Sequence, residues 1–109
     1  LTFVDRRVIE VHITAADSRS TIARVIAHEM GHAVDITMNN TGSRRGWEAQ
    51  RGIGDAVAWW PASYTSDFAT GAGDFAECFA SWTVGSASRS THGACSAADL
   101  ELLASIAGG

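Results

Sequence analysis

The pattern in this sequence most capable of chemistry is a pair of histidines in a segment that reads HEMGH from His28 to His32. Residues four apart share one face of an α-helix, so both imidazoles can reach a single metal ion. Glu29 lies about 100° around the helix from His28, where its carboxylate can hold a water beside the ion without being a ligand. The segment therefore predicts a zinc site at which Glu29 takes a proton from water and delivers it to a leaving amine.

A long helix must carry this motif. Residues 21–37 have apolar residues at helical spacing, and Asp17, Ser18 and Ser20 precede them as candidate N-caps. The predicted apolar face consists of Ile22, Val25, Ile26, Met30, Ala33 and Ile36. Both histidines lie beside this face, where an imidazole without a partner would be costly to bury. A metal ion is such a partner, and a chance occurrence of the motif on a helix is the competing interpretation.

Further elements surround that helix. The β-rich segments Leu1–Val4 and Val8–Ile13 predict a hairpin. Residues 74–84 predict a second helix, and Ser96 followed by Asp99 predicts the start of a C-terminal helix. We therefore expect an α+β fold, a minimal zincin-like domain with a short antiparallel sheet, an active-site helix, a glutamate helix and a C-terminal helix. The edge of the sheet would bind an extended peptide by strand addition.

The segment between the two long helices is rich in glycine, arginine, tryptophan and serine. It predicts at most a short helix near Trp47–Arg51. Trp59 and Trp60 are interpreted either as a hydrophobic substrate pocket or as loop packing. The basic residues of this segment are expected to form a solvated face, which would comprise Arg44, Arg45 and Arg51.

A catalytic zinc ion needs a third protein ligand. A metzincin would have glycine and histidine where this chain has Asp35 and Met38, so that pattern is excluded. Asp35 is then either an acceptor for an imidazole proton or an exposed acid of the last helical turn. Acidic candidates occur in the downstream helix, which reads GDFAECFA from Gly73. Together, HEMGHAVD and DFAECFA resemble the gluzincin-type zinc metallopeptidases, in particular the anthrax lethal factor catalytic domain family and the minigluzincins.

This resemblance implies a zinc-dependent peptidase, most simply a metalloendopeptidase that cleaves a peptide or protein substrate. The family takes its third ligand from a glutamate helix, which implies one zinc ion held by His28, His32 and Glu77. If Phe75 and Ala76 are the matching pair instead, the resemblance places Gly73 at the ligand position and makes Glu77 an acid that contacts a ligand; glycine cannot bind metal, so Glu77 is the expected ligand. Asp74 is the reserve third ligand. Glu29 is then the general base and acid.

Relatives usually have a tyrosine shortly before the glutamate helix, where its hydroxyl stabilises the oxyanion. Phe68 occupies the best-aligned position here, and Tyr64 lies four residues earlier. Tyr64 is therefore the expected oxyanion stabiliser, with a partly buried loop aromatic as its alternative role. The phenylalanine also favours a second function, a zinc-stabilised binding module of the same fold that has lost turnover.

Composition limits the remaining possibilities. The chain has 109 residues and a formal net charge of −4, with 46% hydrophobic residues. This length predicts a single domain over residues 1–109, which we expect to be monomeric. The negative charge argues against nucleic acid as a partner, and no apolar run approaches the roughly 20 residues that cross a bilayer.

The chain contains two cysteines, Cys78 and Cys95. A disulfide between them would close a loop of about 18 residues and tie the glutamate helix to the C-terminal helix, contributing on the order of 3 kcal/mol. Two buried thiols are the alternative. A disulfide would imply a secreted or extracellular protein.

Overall fold

Four helices form the body of the protein in the computed structural model, which describes residues 2–3, 8–9, 18–62 and 66–109. These helices are α1 (Arg19–Met38), α2 (Thr41–Arg51), α3 (Gly71–Val84) and α4 (Ala97–Ala107). A 3-10 turn, Asp67–Ala69, leads into α3. In the described ranges, no helix has the length and apolar character needed to cross a membrane.

The expectation of an α+β, zincin-like fold is wrong, because the protein is helical. Within the described residues, β structure is limited to an antiparallel pairing of β1 (Thr2–Phe3) with β2 (Val8–Ile9). The predicted hairpin is confirmed to that extent, and residues 10–13 of its second segment lie outside the described ranges. Two strands of two residues each cannot form a layer, since an isolated short hairpin has too little surface to bury.

The predicted helix termini are confirmed at two places. Ser18 caps α1, where its side chain accepts a hydrogen bond from the backbone N–H of Thr21 at 3.2 Å. Ser96 and Asp99 form a reciprocal capping box at α4, with N–O distances of 3.1 and 2.8 Å. These short polar side chains satisfy backbone donors that have no partner inside the helix.

Helix α2 is longer than its sequence predicts. Asn40 and Ser43 cap it reciprocally, each accepting from the other's backbone N–H at 2.9 Å. Gly52 ends it with a φ of 69°, a conformation that glycine adopts readily. Few of its residues are apolar, so tertiary packing decides its length. Trp47 is fully buried and packs edge-on against Phe75, with ring centroids 5.1 Å apart.

The core lies between α2, α3 and α4. Its buried members are Trp47, Ile53, Phe75, Cys78 and Leu103. Cys78 and Cys95 form a disulfide with their Cα atoms 5.6 Å apart, which confirms the bridge and excludes the two buried thiols. The bond fastens α3 to the segment that leads into α4.

Helix α1 packs on α3 through the face that carries the two histidines, and not through the apolar face that the sequence predicts. Its buried residues are Ala27, His28, Gly31, His32 and Asp35, whereas Ile26 and Met30 are 43% and 45% exposed. The predicted apolar face is therefore wrong. The helix turns its polar motif inward because Gly31 lets it approach α3 closely: a Cβ at residue 31 would lie 2.7 Å from the Cα of Ala76.

A buried arginine joins the other helices. Arg51, at the end of α2, donates from Nε and Nη2 to the carboxylate of Asp74 on α3 at 2.9 and 2.8 Å. Its Nη1 donates to Asp99 on α4 at 2.8 Å, and two further N–H groups reach the carbonyls of Gly93 and Ala94. The Arg51 side chain is only 4% exposed, so its assignment to a solvated face is wrong.

The close contact at Gly31 makes a stability prediction. Gly31→Ala should destabilise the fold by about 1–3 kcal/mol, because the added methyl group must push α1 away from α3. The matched control is Gly46→Ala in α2, where a Cβ meets nothing within 4 Å. That change should stabilise the fold by about 0.5–1 kcal/mol, as expected for alanine in an open helix position. Urea unfolding of both variants measures the difference, and equal shifts would contradict the packing described.

The arginine network makes a second prediction. Arg51→Lys should lower the free energy of unfolding by about 3 kcal/mol, because a single ammonium group cannot serve five acceptors spread over three elements. Arg45→Lys on the exposed face of the same helix is the control, and should change stability by less than about 0.5 kcal/mol. Chemical denaturation distinguishes the two, and a stability loss of the same small size in both would show that the network is dispensable.

Candidate metal centre

Three side-chain atoms converge at the inner face of α1. The Nε2 atoms of His28 and His32 lie 3.1 Å apart. The Oδ2 atom of Asp67 is 2.5 Å from the first and 3.0 Å from the second. Glu29 is next to this cluster, with a carboxylate oxygen within 4.8 Å of imidazole nitrogens of both histidines. The two histidines and the glutamate predicted from the sequence are therefore brought together, and an aspartate joins them.

The histidines are aligned by α1 itself. Positions 28 and 32 are one helical turn apart, and both side chains are about 10% exposed or less. The two rings meet edge to face with centroids 4.8 Å apart, which places the Nε2 atoms side by side.

Asp67 is positioned by the turn that precedes α3. Its backbone carbonyl accepts from the hydroxyl of Thr70 at 2.9 Å, and Thr70 also caps α3. This turn lies directly against the first turn of α3, where a Cβ on Gly73 would be 1.7 Å from the Asp67 carbonyl oxygen. Glycine at residue 73 is therefore required for the close approach that brings the aspartate to the histidines.

The loop after α3 supports the same turn. The backbone N–H of Thr91 donates to the carbonyl of Phe68 at 2.9 Å, and the Nε2 atom of His92 is 2.9 Å from the carbonyl oxygen of Ala69. These bonds join the turn to the loop after α3. A segment 24 residues downstream thus helps to hold Asp67 in place.

The donor set fits a divalent metal ion such as zinc. Two imidazole nitrogens and one carboxylate oxygen are the ligand types of catalytic zinc sites, and a tetrahedral ion about 2.0–2.1 Å from each needs donors roughly 3.3 Å apart. The observed separations are 2.5, 3.0 and 3.1 Å, so Nε2 of His28 and Oδ2 of Asp67 stand at hydrogen-bond distance and must move apart to admit the ion. Among the described residues, the second oxygen of Asp67, Oδ1, is buried and has no hydrogen-bond partner. This oxygen lies on the side of Gly73, where a Cβ at residue 73 would be 3.1 Å from it, and the oxygen that faces the imidazoles is Oδ2.

The electrostatics of the site also favour a positive charge. Burial lowers the pKa of His28, but the hydrogen bonds and charges of Asp67 and Glu77 outweigh it and raise that pKa to about 9. Burial raises the pKa of the Asp67 carboxyl, yet the two histidines hold it well below its usual range. Glu77 behaves in the same way, with its pKa lowered by His28 and the backbone N–H of Arg89. The two carboxylates stabilise a proton on His28, or a metal ion that replaces it.

Glu77 does not fit the role of third ligand in this arrangement. Its Oε2 atom is 2.6 Å from Nδ1 of His28, on the opposite side of the ring from Nε2. Its other oxygen, Oε1, accepts from the backbone N–H of Arg89 at 2.6 Å. The carboxylate is therefore separated from the converging atoms by the imidazole itself, and Asp67 occupies the position that the sequence assigned to Glu77.

The reserve ligand, Asp74, is committed elsewhere. It is fully buried and accepts from Arg51, from Nε1 of Trp47 at 2.9 Å and from the hydroxyl of Ser90 at 2.6 Å. Its prediction as a ligand is wrong because α3 directs residue 74 toward α2 and α4, away from α1.

Asp35 has neither of the two roles that the sequence allowed. It is fully buried, and its carboxylate accepts from Nε1 of Trp59, Nε of Arg44 and Nδ2 of Asn39 at 2.9, 3.1 and 2.8 Å. These donors come from outside α1, so Asp35 ties the end of that helix to α2 and to the loop that carries Trp59. Trp59 therefore packs against α1 through this bond, and it also lines a surface cleft with Arg44 and Glu48.

The predicted oxyanion stabiliser, Tyr64, lies outside the described residues. Phe68 packs edge-on against the His28 ring with centroids 5.8 Å apart and adds no polar group to the site.

Sequence reasoning missed Asp67. The residue lies in the segment SDFA, whose Phe68 aligns with the tyrosine that the resemblance implies. The available signal was an acidic residue three positions before Thr70, the cap of the glutamate helix, which would be close to the histidines if that helix packs on α1. Sequence spacing alone cannot show this, because the turn acquires its place from contacts with Gly73 and with the loop around Thr91.

Comparison of the chain with protein-family models, with curated proteins and with solved structures gave no match. The features of the site therefore rest on its own geometry.

The convergence predicts that Asp67 is needed for metal binding. Asp67→Ala should weaken zinc affinity by more than the roughly 10–100-fold that an outer-shell partner contributes. Asp55→Ala, at an exposed position in the loop after α2, is the matched control and should bind zinc as the unaltered protein does. Competition with a chromophoric chelator measures both affinities. Equal affinity of the two variants would exclude Asp67 as a ligand.

Proposed function

We propose that the protein is a zinc-dependent peptidase whose metal is held by His28, His32 and Asp67. The observation that carries this proposal is the convergence of two Nε2 atoms and one carboxylate oxygen within 3.1 Å of one another, with Glu29 beside them. Three protein ligands leave a position for water or substrate, which distinguishes catalytic from structural zinc sites. A zinc ion bound there supplies Lewis acidity for the peptide carbonyl and lowers the pKa of water toward ~7.

Glu29 carries out the proton transfers. Its carboxylate accepts a proton from the attacking water as the new C–O bond forms. The same group then gives that proton to the amine nitrogen as the C–N bond breaks, so water is divided between the two products. Glu29 suits this role because it follows His28 on α1 and its carboxylate oxygen lies within 4.8 Å of the imidazole nitrogens.

The identity of the third ligand distinguishes this site from that of the gluzincins. The gluzincin resemblance depends on a glutamate ligand, whereas the arrangement here offers an aspartate from the turn before α3. We therefore retain the peptidase reaction and the motif HEMGH from that interpretation, and assign the third position to Asp67. The disulfide Cys78–Cys95 supports an oxidising compartment, and we propose that the protein acts outside the cytosol.

The second candidate function is a zinc-stabilised binding module without turnover. The observation that favours it is Phe68, whose ring packs on His28 where relatives have a hydroxyl group. In that case zinc would contribute to stability by binding the folded state, and no peptide would be cleaved.

The peptidase proposal predicts a separation of metal binding from activity. We expect one zinc ion per chain in the unaltered protein and in Glu29→Gln, because the proposed ligands are His28, His32 and Asp67. Cleavage of casein and of a diverse peptide library should fall at least about 100-fold in Glu29→Gln, since general-base catalysis is lost. Glu101→Gln, at an exposed position on α4, is the control and should retain full activity.

The other outcomes discriminate between the candidates. Stoichiometric zinc without cleavage by any of the three proteins would support the binding module. Failure of the unaltered protein to bind zinc would exclude both functions.

A further inference from the structure

A surface cleft beside α2 has no part in the reaction just described. Its volume is about 440 Å³, and none of the three proposed metal ligands lines it. A cleft of this volume falls in the range that holds a small organic molecule. Its lining comes from α2 and the loop that follows, and includes Arg44, Arg45, Glu48, Asp55 and Trp59.

The cation and the indole ring in the wall of this cleft are oriented by Asp35 of α1, which is fully buried. Asp35 accepts from Nε of Arg44 at 3.1 Å and from Nε1 of Trp59 at 2.9 Å. The Arg44 guanidinium also lies over the rings of Trp59 and Trp60, 5.7 and 5.1 Å from their centroids. Because these contacts already hold the cation in place, little side-chain entropy is lost when an anion binds to it.

Trp59 is anchored from a second direction. Its backbone carbonyl accepts from the N–H of Ala72 at 2.8 Å, and a Cβ at residue 71 would overlap its ring. The indole is therefore fixed between α1 and the first turn of α3. A fixed aromatic ring is a surface on which an apolar or aromatic group of a ligand can pack.

The charged side chains that line the cleft are two arginines and two acids. Arg44 is paired with Asp35. Arg45, Glu48 and Asp55 have no ion-pair partner within the described part of the chain. A purely anionic ligand would be repelled by the two carboxylates, and a purely cationic one by the two guanidinium groups. The ligand that satisfies both signs carries separate positive and negative groups.

We propose that this cleft binds a small zwitterion, an amino acid or a short peptide with both ends free. Its carboxylate is held by Arg44 and Arg45, and its ammonium group by Glu48. These three residues are three or four positions apart on α2, so their side chains share one face of the helix. An apolar or aromatic side chain of the ligand packs on the indole ring of Trp59. The binding does not depend on the proposed peptidase function.

Titration of the full chain with phenylalanine and with alanyl-phenylalanine tests the proposal, with the indole N–H signals followed by NMR. The signals of Trp59 and Trp60 should shift with a dissociation constant on the order of 0.1–1 mM. Trp82 is the internal control, because it is 44% exposed against 40% for Trp60 but does not line the cleft. Its signal should not move. The tighter of the two probes distinguishes an amino acid from a peptide as the preferred ligand.

Blocked probes separate the two charges of the ligand. N-acetylation of the dipeptide removes the ammonium group and amidation removes the carboxylate, and each should weaken binding about 3–10-fold. Arg45→Gln and Glu48→Gln should each weaken binding of the free dipeptide about 2–5-fold. Glu48→Gln should have no further effect on the acetylated probe, because the group that Glu48 contacts is already missing.

Two variants with matched changes of charge are the controls. Arg19→Gln, at an exposed position in the first turn of α1, and Glu101→Gln, at an exposed position on α4, should bind the dipeptide as the unaltered protein does. A loss of affinity in these variants equal to that in Arg45→Gln and Glu48→Gln would contradict the proposal, since only net charge would then matter.

The remaining outcomes also decide the question. Absence of a shift at Trp59 and Trp60, or an equal shift at Trp82, would overturn the proposal. Equal affinity for the free and acetylated probes would make the cleft a site for anions, and equal affinity for the free and amidated probes a site for cations; either result would contradict a zwitterion site. None of these results depends on zinc, so failure here would leave the proposed function unaffected.

Discussion

The contact between α1 and α3 at Gly31 is the constraint on which the candidate site depends. The backbones approach so closely that a Cβ at residue 31 would lie 2.7 Å from the Cα of Ala76. At this separation, Nδ1 of His28 reaches Glu77 in the middle of α3. Because the turn before α3 carries Asp67, the same approach brings a second carboxylate to the Nε2 side of the ring. The imidazole is thus held between two acids that belong to one helix and the turn that leads into it.

Helix α3 can serve this site because its other side is secured independently. Asp74 accepts from Arg51 of α2, which also binds Asp99 of α4, and the disulfide from Cys78 joins the same region. A buried ion pair adds little net stability compared with apolar packing, but it is strongly destabilising to break. The network therefore acts mainly to define one arrangement of three helices, and α3 presents its polar residues to α1 from a fixed position.

The local structure was predictable where short-range chemistry determines it. The capping side chains of Ser18 and Ser96 set helix starts, the spacing of His28 and His32 set their common face, and the two cysteines paired. Tertiary contacts determine the rest. Helix α2 is stabilised largely by burial of Trp47, and the apolar periodicity of α1 misled because Gly31 turns the polar side of that helix inward.

The third metal ligand was predicted incorrectly because tertiary contacts, and not short-range chemistry, determine which acid faces α1. The glutamate helix was predicted, but which of its acids faces α1 depends on the rotation of α3 about its axis. That rotation is set by contacts such as the one between Asp74 and Arg51, which no spacing rule contains. Asp67 was missed because it reaches the histidines from a 3-10 turn outside the α-helices. The α+β fold class failed for a related reason, since alternating apolar residues near the N-terminus indicate a strand but not how many residues will pair.

The proposed site holds one metal ion at His28, His32 and Asp67. Crystallographic data collected on both sides of the zinc absorption edge can locate that ion. We expect an anomalous peak of full occupancy roughly 2.0–2.2 Å from Nε2 of each histidine and from Oδ2 of Asp67, with Glu77 on Nδ1 of His28 and outside the coordination sphere. A peak coordinated by Glu77 in place of Asp67, or no peak in zinc-saturated crystals, would contradict it.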